Sequence, residues 1–217
     1  MSLKIVFMGT PEFSVPILKS INNSKHKILS IYTQPPKKKS RGQKIKESPV
    51  HIAARELGLQ VRCPDKIDSE KEKKFIKELK PDIVVVVAYG QILPKEILKL
   101  SDIKFLNIHA SLLPKWRGAA PIQRAIMNMD KQTGISFMKI VDQLDAGPVM
   151  KFVTIEIDKE ITYESLSKKL SLLSSREIIN CLDILEQKKE RFIPQDNSKA
   201  TYAKKIDKLE TKLNWNF

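Results

Sequence analysis

Two polar residues that can act on a substrate, Asn107 and His109, end a short apolar segment of the chain. We predict a strand from Lys104 to His109, and the alternation of side chains along a strand directs Asn107 and His109 to the same face. The carboxyl ends of strands are where ligands bind in open α/β sheets. A carboxamide and an imidazole there can donate hydrogen bonds to a reacting group, with a histidine satisfied within the fold as the alternative.

Two acidic residues lie in the loop after the strand predicted from Gly134 to Val141, and either can interact with this histidine. The loop runs from Val141 to Pro148 and contains Asp142 and Asp145. A carboxylate beside an imidazole orients the ring and stabilises its charged form. The pattern therefore indicates an imidazole assisted by a neighbouring acid, and spacing alone leaves open which acid that is.

Other chemistries lack the residues that they need. The first turn, from Gly9 to Phe13, has no GxGxxG pattern, so binding of a dinucleotide is not expected. The three histidines, His26, His51 and His109, have no metal-ligand spacing, so we expect no metal site. The two cysteines are far apart in the sequence, and we expect them to be reduced and structural.

The elements that position these residues alternate between strand and helix. Strands are predicted from Lys4 to Met8, Lys27 to Thr33, Asp82 to Ala88, Lys104 to His109 and Gly134 to Val141, with an exposed or antiparallel strand from Val149 to Ile157. Two helices are predicted to begin at Pro11 and at Pro49, and a third is predicted to end at Leu79. Two more are predicted from Gly118 to Met129 and from Leu166 to Leu185. The pattern predicts an α/β fold that is Rossmann-like, with a mostly parallel sheet and helices on both faces.

The composition predicts one compact unit and suggests a polyanionic partner. A chain of 217 residues suffices for one large domain. The longest apolar run, Ile83 to Ala88, is too short to span a membrane, and no signal peptide is evident, so we expect a cytoplasmic protein. The net charge of +14 favours binding of a polyanion where cations cluster, and scattered lysines that solvate a surface are the alternative.

The cations do cluster, in a breaker-rich segment that we predict to be a long surface loop. Between Gln34 and Val50 there are six cationic residues against a single acid, Glu47. The cationic residues are Lys37, Lys38, Lys39, Arg41, Lys44 and Lys46. Such a loop can order on phosphates and make salt-dependent contacts, with a solvated loop tip as the alternative.

Four segments in order along the chain resemble the motifs of the methionyl-tRNA formyltransferase family: GTPEFSVP, AYGQILP, NIHASLLPKWRGAAPIQ and DQLDAGPV. The segment from Asn107 to Pro114, with Asp145 downstream, resembles the signature of formyltransferases that use 10-formyltetrahydrofolate. The lysine-rich loop, Pro194-Gln195 and the segment from Ala200 to Ile206 are similar to the branch that formylates tRNA. The resemblance implies the formyltransferase fold, and transfer of a formyl group from this folate to the amino group of methionyl initiator tRNA.

The resemblance also implies roles for individual residues. The catalytic set would be Asn107, His109 and Asp145. The folate pocket would be lined by Ser111, Leu112, Leu113 and Pro114 and by the backbone from Gln91 to Leu93. The loop from Val141 to Asp145, which contains Asp142, would hold the pterin ring. The tRNA or its methionyl group would be contacted by Phe13, Lys37, Lys38, Lys39 and Arg41. Core packing is the alternative for the two adjacent leucines, and an ordinary aromatic at a helix start is the alternative for Phe13.

These residue types suit the reaction that the resemblance implies. An amine attacks the formyl carbon held on folate N10, and negative charge develops on the formyl oxygen. Asn107 can donate to that oxygen without titrating, and an imidazolium at His109 can donate while adding charge; such donors are worth about 10²–10³ in rate. Asp145 would hold His109 in the right tautomer and help to keep it protonated. The reaction requires no metal and no covalent intermediate.

The resemblance divides the chain and leaves related activities open. Residues 1–190 would be the catalytic domain, and residues 191–217 a linker toward a C-terminal β-barrel that the family carries and that is expected to be missing here. We expect a monomer. The alternatives are a formyltransferase that acts on a small amine such as glycinamide ribonucleotide, a formyltetrahydrofolate hydrolase, and a basic RNA-binding module with a vestigial pocket.

Overall fold

The structure, a computed structural model, describes residues 2–39, 44–100 and 103–212. Its strands are β1 Lys4–Gly9, β2 Lys27–Tyr32, β3 Lys37–Lys39, β4 Lys44–Lys46, β5 Val61–Arg62, β6 Ile83–Val87, β7 Lys104–His109, β8 Arg117–Gly118, β9 Gln132–Lys139, β10 Val149–Glu156 and β11 Tyr202–Ala203. Its α-helices are α1 Val15–Asn22, α2 Pro49–Glu56, α3 Glu70–Leu79, α4 Lys95–Leu98, α5 Pro121–Met127 and α6 Tyr163–Glu186. Short 3₁₀ turns occupy Glu12–Ser14, Asn197–Lys199 and Lys208–Thr211.

Seven strands form one large sheet in the order β10-β9-β7-β6-β1-β2-β5. The strands from β7 to β5 in this order pair in parallel, whereas β9 runs antiparallel to both β7 and β10. The chain begins at β1, builds one side through β2 and β5, and then crosses to β6 and β7 on the other side. The winding therefore reverses between β1 and β6, which is where ligands bind in open α/β sheets. The predicted Rossmann-like, mostly parallel sheet is confirmed.

Helices cover both faces of this sheet, as predicted. All five residues of β6 are buried, and neighbouring residues point to opposite faces. Val85 belongs to the core beneath α1, α2 and α6, and Val84 belongs to the core beneath α3 and α4. Full burial of one valine side chain contributes roughly 1.5–3 kcal/mol, so this β-branched run stabilises the centre of the sheet from both sides.

The first turn departs from the prediction that a helix begins at Pro11. A 3₁₀ turn at Glu12–Ser14 comes first, and α1 begins at Val15, four residues after Pro11. Two hydroxyl groups tie this turn to the end of β6: Thr10 donates to the carbonyl of Tyr89 at 2.7 Å, and Ser14 donates to the carbonyl of Val87 at 2.7 Å. The helix starts only after the turn because these residues are held against the neighbouring strand.

Two other helix predictions are confirmed. Helix α2 begins at Pro49, and the hydroxyl oxygen of Ser48 accepts the backbone N–H of His51 at 3.0 Å, so Ser48 is its cap. The long amphipathic helix is α6, which Thr162 caps and which buries Leu166 and further apolar residues at helical spacing. No helix in the described part of the chain, α6 included, has the length and apolarity needed to cross a bilayer.

The lysine-rich segment contains a hairpin, so the prediction of one long loop is wrong there. Strands β3 and β4 pair antiparallel, with Lys38 opposite Ile45. The pairing uses backbone groups, and a run of identical lysines carries no alternation from which a strand can be predicted. We call residues 37–39 and 44–46 the lysine hairpin.

The chain returns to the sheet region after α6. Ile193 forms an antiparallel bridge with Val149, and β11 pairs in parallel with β8. The side chain of Arg124 on α5 donates to the carbonyl of Lys204 at 3.1 Å. Residues 193–204, which we call the strap, therefore lie against the loops that follow β7 and β9, although the sequence predicts a linker over this stretch.

Candidate active site

His109 ends β7, and both nitrogens of its buried ring face oxygen atoms. Nε2 lies 2.8 Å from the carbonyl oxygen of Trp116. Because a carbonyl oxygen only accepts, Nε2 carries a hydrogen. Nδ1 lies 3.7 Å from Oδ2 of Asp145, which is an ion-pair distance when the ring is protonated but too long for a hydrogen bond. The Nδ1 edge is therefore the edge of the ring that can exchange a proton.

Asp145 is the loop acid that reaches His109. Its Oδ2 accepts the backbone N–H of Gly118 at 2.8 Å, which fixes the carboxylate. The residue has a left-handed φ of 47°, a conformation that costs a non-glycine residue about 1–3 kcal/mol and persists where surrounding contacts enforce it. Asp142, the other candidate acid, pairs with Lys95 instead, at 3.1 Å.

Asn107 lies two residues before His109 on β7, so their side chains share one face about 7 Å apart along the strand. Its neighbours across the sheet are Val86 on β6 and Met138 on β9. The residue is half-buried. Within the described ranges its carboxamide makes no hydrogen bond to the protein, so its N–H groups are available to a bound molecule.

The loop after β7 holds its shape with its own side chains. Ser111 is fully buried and donates its hydroxyl to the carbonyl of Lys115 at 2.6 Å. The hydroxyl of Ser136 donates to the carbonyl of Ser111 at 2.6 Å and accepts from the N–H of Leu113 at 3.1 Å. These bonds place the next carbonyl, that of Trp116, against His109. The Ser111 hydroxyl thus supports the loop internally.

Sequence comparison assigns this arrangement to a family. A model of the formyl transferase family matches residues 3–182. The methionyl-tRNA formyltransferase of Pelagibacter ubique (strain HTCC1062) is 52% identical over 217 residues, which are 100% of this chain and 70% of that protein. The methionyl-tRNA formyltransferase of Coxiella burnetii (strain CbuK_Q154) is 45% identical over 215 residues, covering 99% of this chain and 68% of that protein. This chain belongs to the methionyl-tRNA formyltransferase family.

Solved structures share the fold at lower sequence identity. Phosphoribosylglycinamide formyltransferase from Anaplasma phagocytophilum matches with a TM-score of 0.73 at 20% identity, covering 87% of this chain and 89% of that chain. HypX from Aquifex aeolicus in complex with tetrahydrofolic acid matches with a TM-score of 0.74 at 16% identity, covering 99% of this chain and 32% of that chain. The predicted formyltransferase fold is confirmed.

In this member of the methionyl-tRNA formyltransferase family, two segments predicted to bind folate lie side by side. The ion pair between Lys95 and Asp142 joins the start of α4 to the loop after β9. Each segment also exposes an apolar side chain: Ile92 is 87% exposed and Leu144 is 60% exposed. The sequence analysis predicted both segments but missed Lys95, because its contact with Asp142 depends on how two distant loops meet.

Other residues predicted to bind folate support the walls of this region. Gln91 donates from Nε2 to the carbonyl of Pro64 at 2.9 Å and accepts the N–H of Ile67 at 3.0 Å. Leu93 packs against the core beneath α3 and α4, and Leu113 is buried with two apolar neighbours. Leu112 and Pro114 are half-buried beside it. Gln91, Leu93 and Leu113 thus shape the region from behind its surface.

The residues predicted to contact tRNA lie on two elements. Phe13, in the first 3₁₀ turn, packs partly buried against the core beneath α1 and α6, and its carbonyl accepts the hydroxyl of Ser171 at 2.7 Å. Lys37, Lys38 and Lys39 form β3 of the lysine hairpin. Arg41 lies outside the described residues. The contacts of these residues with tRNA stay a prediction.

Sequence reasoning also missed a buried arginine behind the pair of His109 and Asp145. Arg117 is 1% exposed. Its Nε and Nη2 donate to Oε1 of Gln195 at 3.1 and 2.8 Å, and Nη2 also donates to Oδ1 of Asn197 at 2.8 Å. A buried guanidinium requires acceptors that match its planar fork. Both partners come from the strap.

The two thiols do not compete as nucleophiles. Burial raises the pKa of Cys181 to about 12 and also raises the pKa of Cys63, whose Sγ lies 3.4 Å from Nδ1 of His51. The thiolate is the nucleophilic form, so burial disfavours the reactive form of both thiols. In the part of the chain that the structure describes, no three His, Cys, Asp or Glu side chains are grouped to hold a metal ion.

Proposed function

We propose that this chain transfers the formyl group of 10-formyltetrahydrofolate to the amino group of methionyl initiator tRNA, with Asn107, His109 and Asp145 as its catalytic residues. The observation that carries the proposal is the approach of Asp145 to the Nδ1 edge of His109 at the end of β7. Relatives that are 45–52% identical are methionyl-tRNA formyltransferases, which supports this acceptor. The tetrahydrofolic acid bound to HypX, which has the same fold, supports a folate donor.

Asn107 and His109 stabilise the charge that develops during transfer. The amine nitrogen bonds to the formyl carbon and gives a tetrahedral species whose oxygen carries negative charge. The bond from that carbon to N10 then breaks, the C=O double bond re-forms, and one proton passes from the amine to N10. Asn107 donates an N–H to the formyl oxygen without changing its own charge. His109, when protonated on both nitrogens, donates Nδ1–H to the same oxygen while Nε2–H stays on the carbonyl of Trp116. Each such donor is worth about 10²–10³ in rate.

Asp145 stabilises the imidazolium and lies beside the path of the proton. Its Oδ2 is 3.7 Å from Nδ1 of His109, close enough for attraction between opposite charges. The N–H of Gly118 keeps this oxygen in place, so little reorganisation is needed when the ring becomes charged. The amine proton reaches N10 directly or through water, a general acid–base step that is worth about 10²–10⁴ in rate.

Two surfaces serve the two substrates. The folate lies between the start of α4 and the loop after β9, where the exposed side chains of Ile92 and Leu144 offer apolar contact to its rings and Lys95 and Asp142 form the polar rim. The lysine hairpin neutralises phosphates of the acceptor stem. We also propose that the protein is monomeric and cytoplasmic.

The choice of acceptor tests the proposal. Formyl transfer from 10-formyltetrahydrofolate is measured with methionyl initiator tRNA and, separately, with glycinamide ribonucleotide, and release of formate is measured with no acceptor. We expect transfer to the charged tRNA alone, and a fall of about 10²–10³ in its rate in His109→Ala. Transfer to glycinamide ribonucleotide would support a small-amine formyltransferase, and release of formate without an acceptor would support a hydrolase; either result would overturn the proposal.

A further inference from the structure

Three consecutive residues connect the proposed catalytic pair to the strap. The carbonyl of Trp116 accepts from His109, the guanidinium of Arg117 donates to Gln195, and the N–H of Gly118 donates to Asp145. Gly118 also has a φ of 116°, and a Cβ there would lie 2.9 Å from the carbonyl oxygen of Ala203 in the strap. The segment 116–118 is thus packed against the strap while it holds both the histidine and the acid.

Gln195 uses every polar group of its side chain at this junction. Its Nε2 donates to the carbonyl of Asp145 at 2.8 Å and to the carbonyl of Gly147 at 2.7 Å. Its Oε1 accepts both bonds from Arg117. A planar group with two donors and one acceptor is a primary amide, and glutamate, which is ionised near neutral pH, has no donor for the two carbonyls.

The loop that contains Asp145 requires this support. Its left-handed φ is unfavourable for a residue with a Cβ. Gln195 fixes the carbonyl of Asp145, and Gly118 fixes the carboxylate, so the residue is anchored at both ends. At Gly147 the loop presses against β9 so closely that a Cβ would lie 1.8 Å from the carbonyl oxygen of Lys139. The loop therefore has little room to relax when one anchor is lost.

We propose that Gln195, held by Arg117, is a positioning residue for formyl transfer that sets Oδ2 of Asp145 against Nδ1 of His109. The inference rests on the proposed function, because Gln195 acts through this pair and touches neither substrate. Gln195 lies beyond residue 182, where the match to the formyl transferase family ends. A segment outside that match thus completes the geometry of the site.

Steady-state kinetics of substituted proteins test this role. Gln195→Ala removes all four hydrogen bonds, and Gln195→Glu keeps the acceptor for Arg117 but removes both donors to the Asp145 loop. Ser198→Ala is the matched control, because Ser198 is exposed on the same strap and, among the residues that the structure describes, its hydroxyl bonds only to Asp196. We expect kcat to fall by about 10- to 100-fold in both Gln195 variants, as for a reacting group displaced by about 1 Å, with both KM values nearly unchanged. Ser198→Ala is expected to keep the wild-type kcat.

Combining Gln195→Ala with Asp145→Asn separates this inference from the proposed function. If Gln195 acts through Asp145, the double variant is no slower than Asp145→Asn alone, because the effects of coupled residues do not add. A wild-type kcat in Asp145→Asn overturns the catalytic role of Asp145 itself. Loss of kcat in Asp145→Asn with a wild-type kcat in Gln195→Ala, or with fully additive losses, leaves the proposed function standing and overturns the positioning role.

Discussion

Nε2 of His109 lies 2.8 Å from the carbonyl oxygen of Trp116, so this nitrogen is protonated whether the ring is neutral or charged. The charged ring therefore differs from the neutral ring by the proton on Nδ1, which faces Asp145. A backbone carbonyl thus sets the tautomer, and the carboxylate is left to stabilise charge. From the sequence, Asp145 is expected to perform both tasks, whereas the structure assigns the first of them to the Trp116 carbonyl.

The tautomer of His109 can be measured directly. We expect the neutral ring to carry its hydrogen on Nε2, because the alternative tautomer would place a lone pair against the lone pairs of the Trp116 carbonyl. Long-range ¹H–¹⁵N NMR spectra at alkaline pH, assigned by comparison with His109→Gln, distinguish the two nitrogens. A neutral ring protonated on Nδ1 would contradict this geometry.

Replacing Gly118 with alanine should lower kcat as well as the stability of the fold. Gly118 has a φ of 116°, its N–H holds Asp145, and a Cβ would lie 2.9 Å from the carbonyl oxygen of Ala203. We expect Gly118→Ala to lower stability by about 1–3 kcal/mol and to lower kcat as well. Thermal unfolding and kinetics measure the two effects.

Gly58→Ala is the control for backbone strain alone. Gly58 has a φ of 67° after α2, and a Cβ there would have no atom within 4 Å. We expect a loss of about 1 kcal/mol in stability with a wild-type kcat. Equal effects of Gly58→Ala and Gly118→Ala on kcat would show that the Gly118 contact has no specific role in the site.

Local patterns predicted most strands of the large sheet, and the alternation along β7 predicted that Asn107 and His109 share a face. The central strand β6 was predictable because five β-branched residues in a row suit burial on both faces. The role of Gln195 was not predictable, because its bonds to Arg117 join residues 78 positions apart. The contact of His109 with the carbonyl of Trp116 was not predictable either, because every residue has a carbonyl group and only the fold of the loop determines which one meets the histidine.

The lysine hairpin should govern the affinity for tRNA and leave the folate site unchanged. Replacing Lys37, Lys38 and Lys39 with glutamine removes three cations, and each lost phosphate contact should reduce the slope of log K against log salt by roughly 0.7–0.9. Binding of methionyl initiator tRNA is measured over a range of salt concentrations, beside the KM for 10-formyltetrahydrofolate. We expect weaker tRNA binding with an unchanged KM for the folate.

A matched control removes the same charge elsewhere. Lys159, Lys168 and Lys169 are exposed residues that have no proposed role. Their replacement with glutamine should leave the salt dependence close to that of the wild type. If both sets of substitutions weaken tRNA binding equally, net charge is the cause and the hairpin has no specific role.

An ion pair between the half-buried Arg62 and the buried Glu72 of α3 should make the stability of the fold depend on pH. Arg62 donates to both carboxylate oxygens of Glu72 at 2.6 Å, and the pair lies beside the ring of Phe75. Hydrogen bonds from Arg62 lower the pKa of Glu72 below its usual value of 4.5. The stabilisation is therefore fully present above about pH 4.5 and is lost as the pH falls through the lowered pKa of the folded protein.

Chemical denaturation at several pH values tests this dependence. Glu72→Gln should lower the free energy of unfolding by about 3 kcal/mol at pH 7, because Arg62 is left without its counter-charge, and should flatten the dependence below pH 4.5. Glu70→Gln is the control: Glu70 pairs with Lys73 at the surface and should cost less than about 1 kcal/mol. Parallel pH curves for the wild type and Glu72→Gln would refute the assignment.

Single-turnover formyl transfer to methionyl initiator tRNA, with donor binding measured on the same proteins, tests whether Asn107, His109 and Asp145 catalyse the transfer. Wild type, Asn107→Ala, His109→Ala and Asp145→Asn are compared at saturating 10-formyltetrahydrofolate. We expect each substitution to lower the rate of transfer by about 10²–10³ and to leave the Kd for the folate within about threefold, because these groups stabilise the charge that develops on the formyl oxygen during transfer. A rate close to that of the wild type in His109→Ala would show that His109 has no catalytic role.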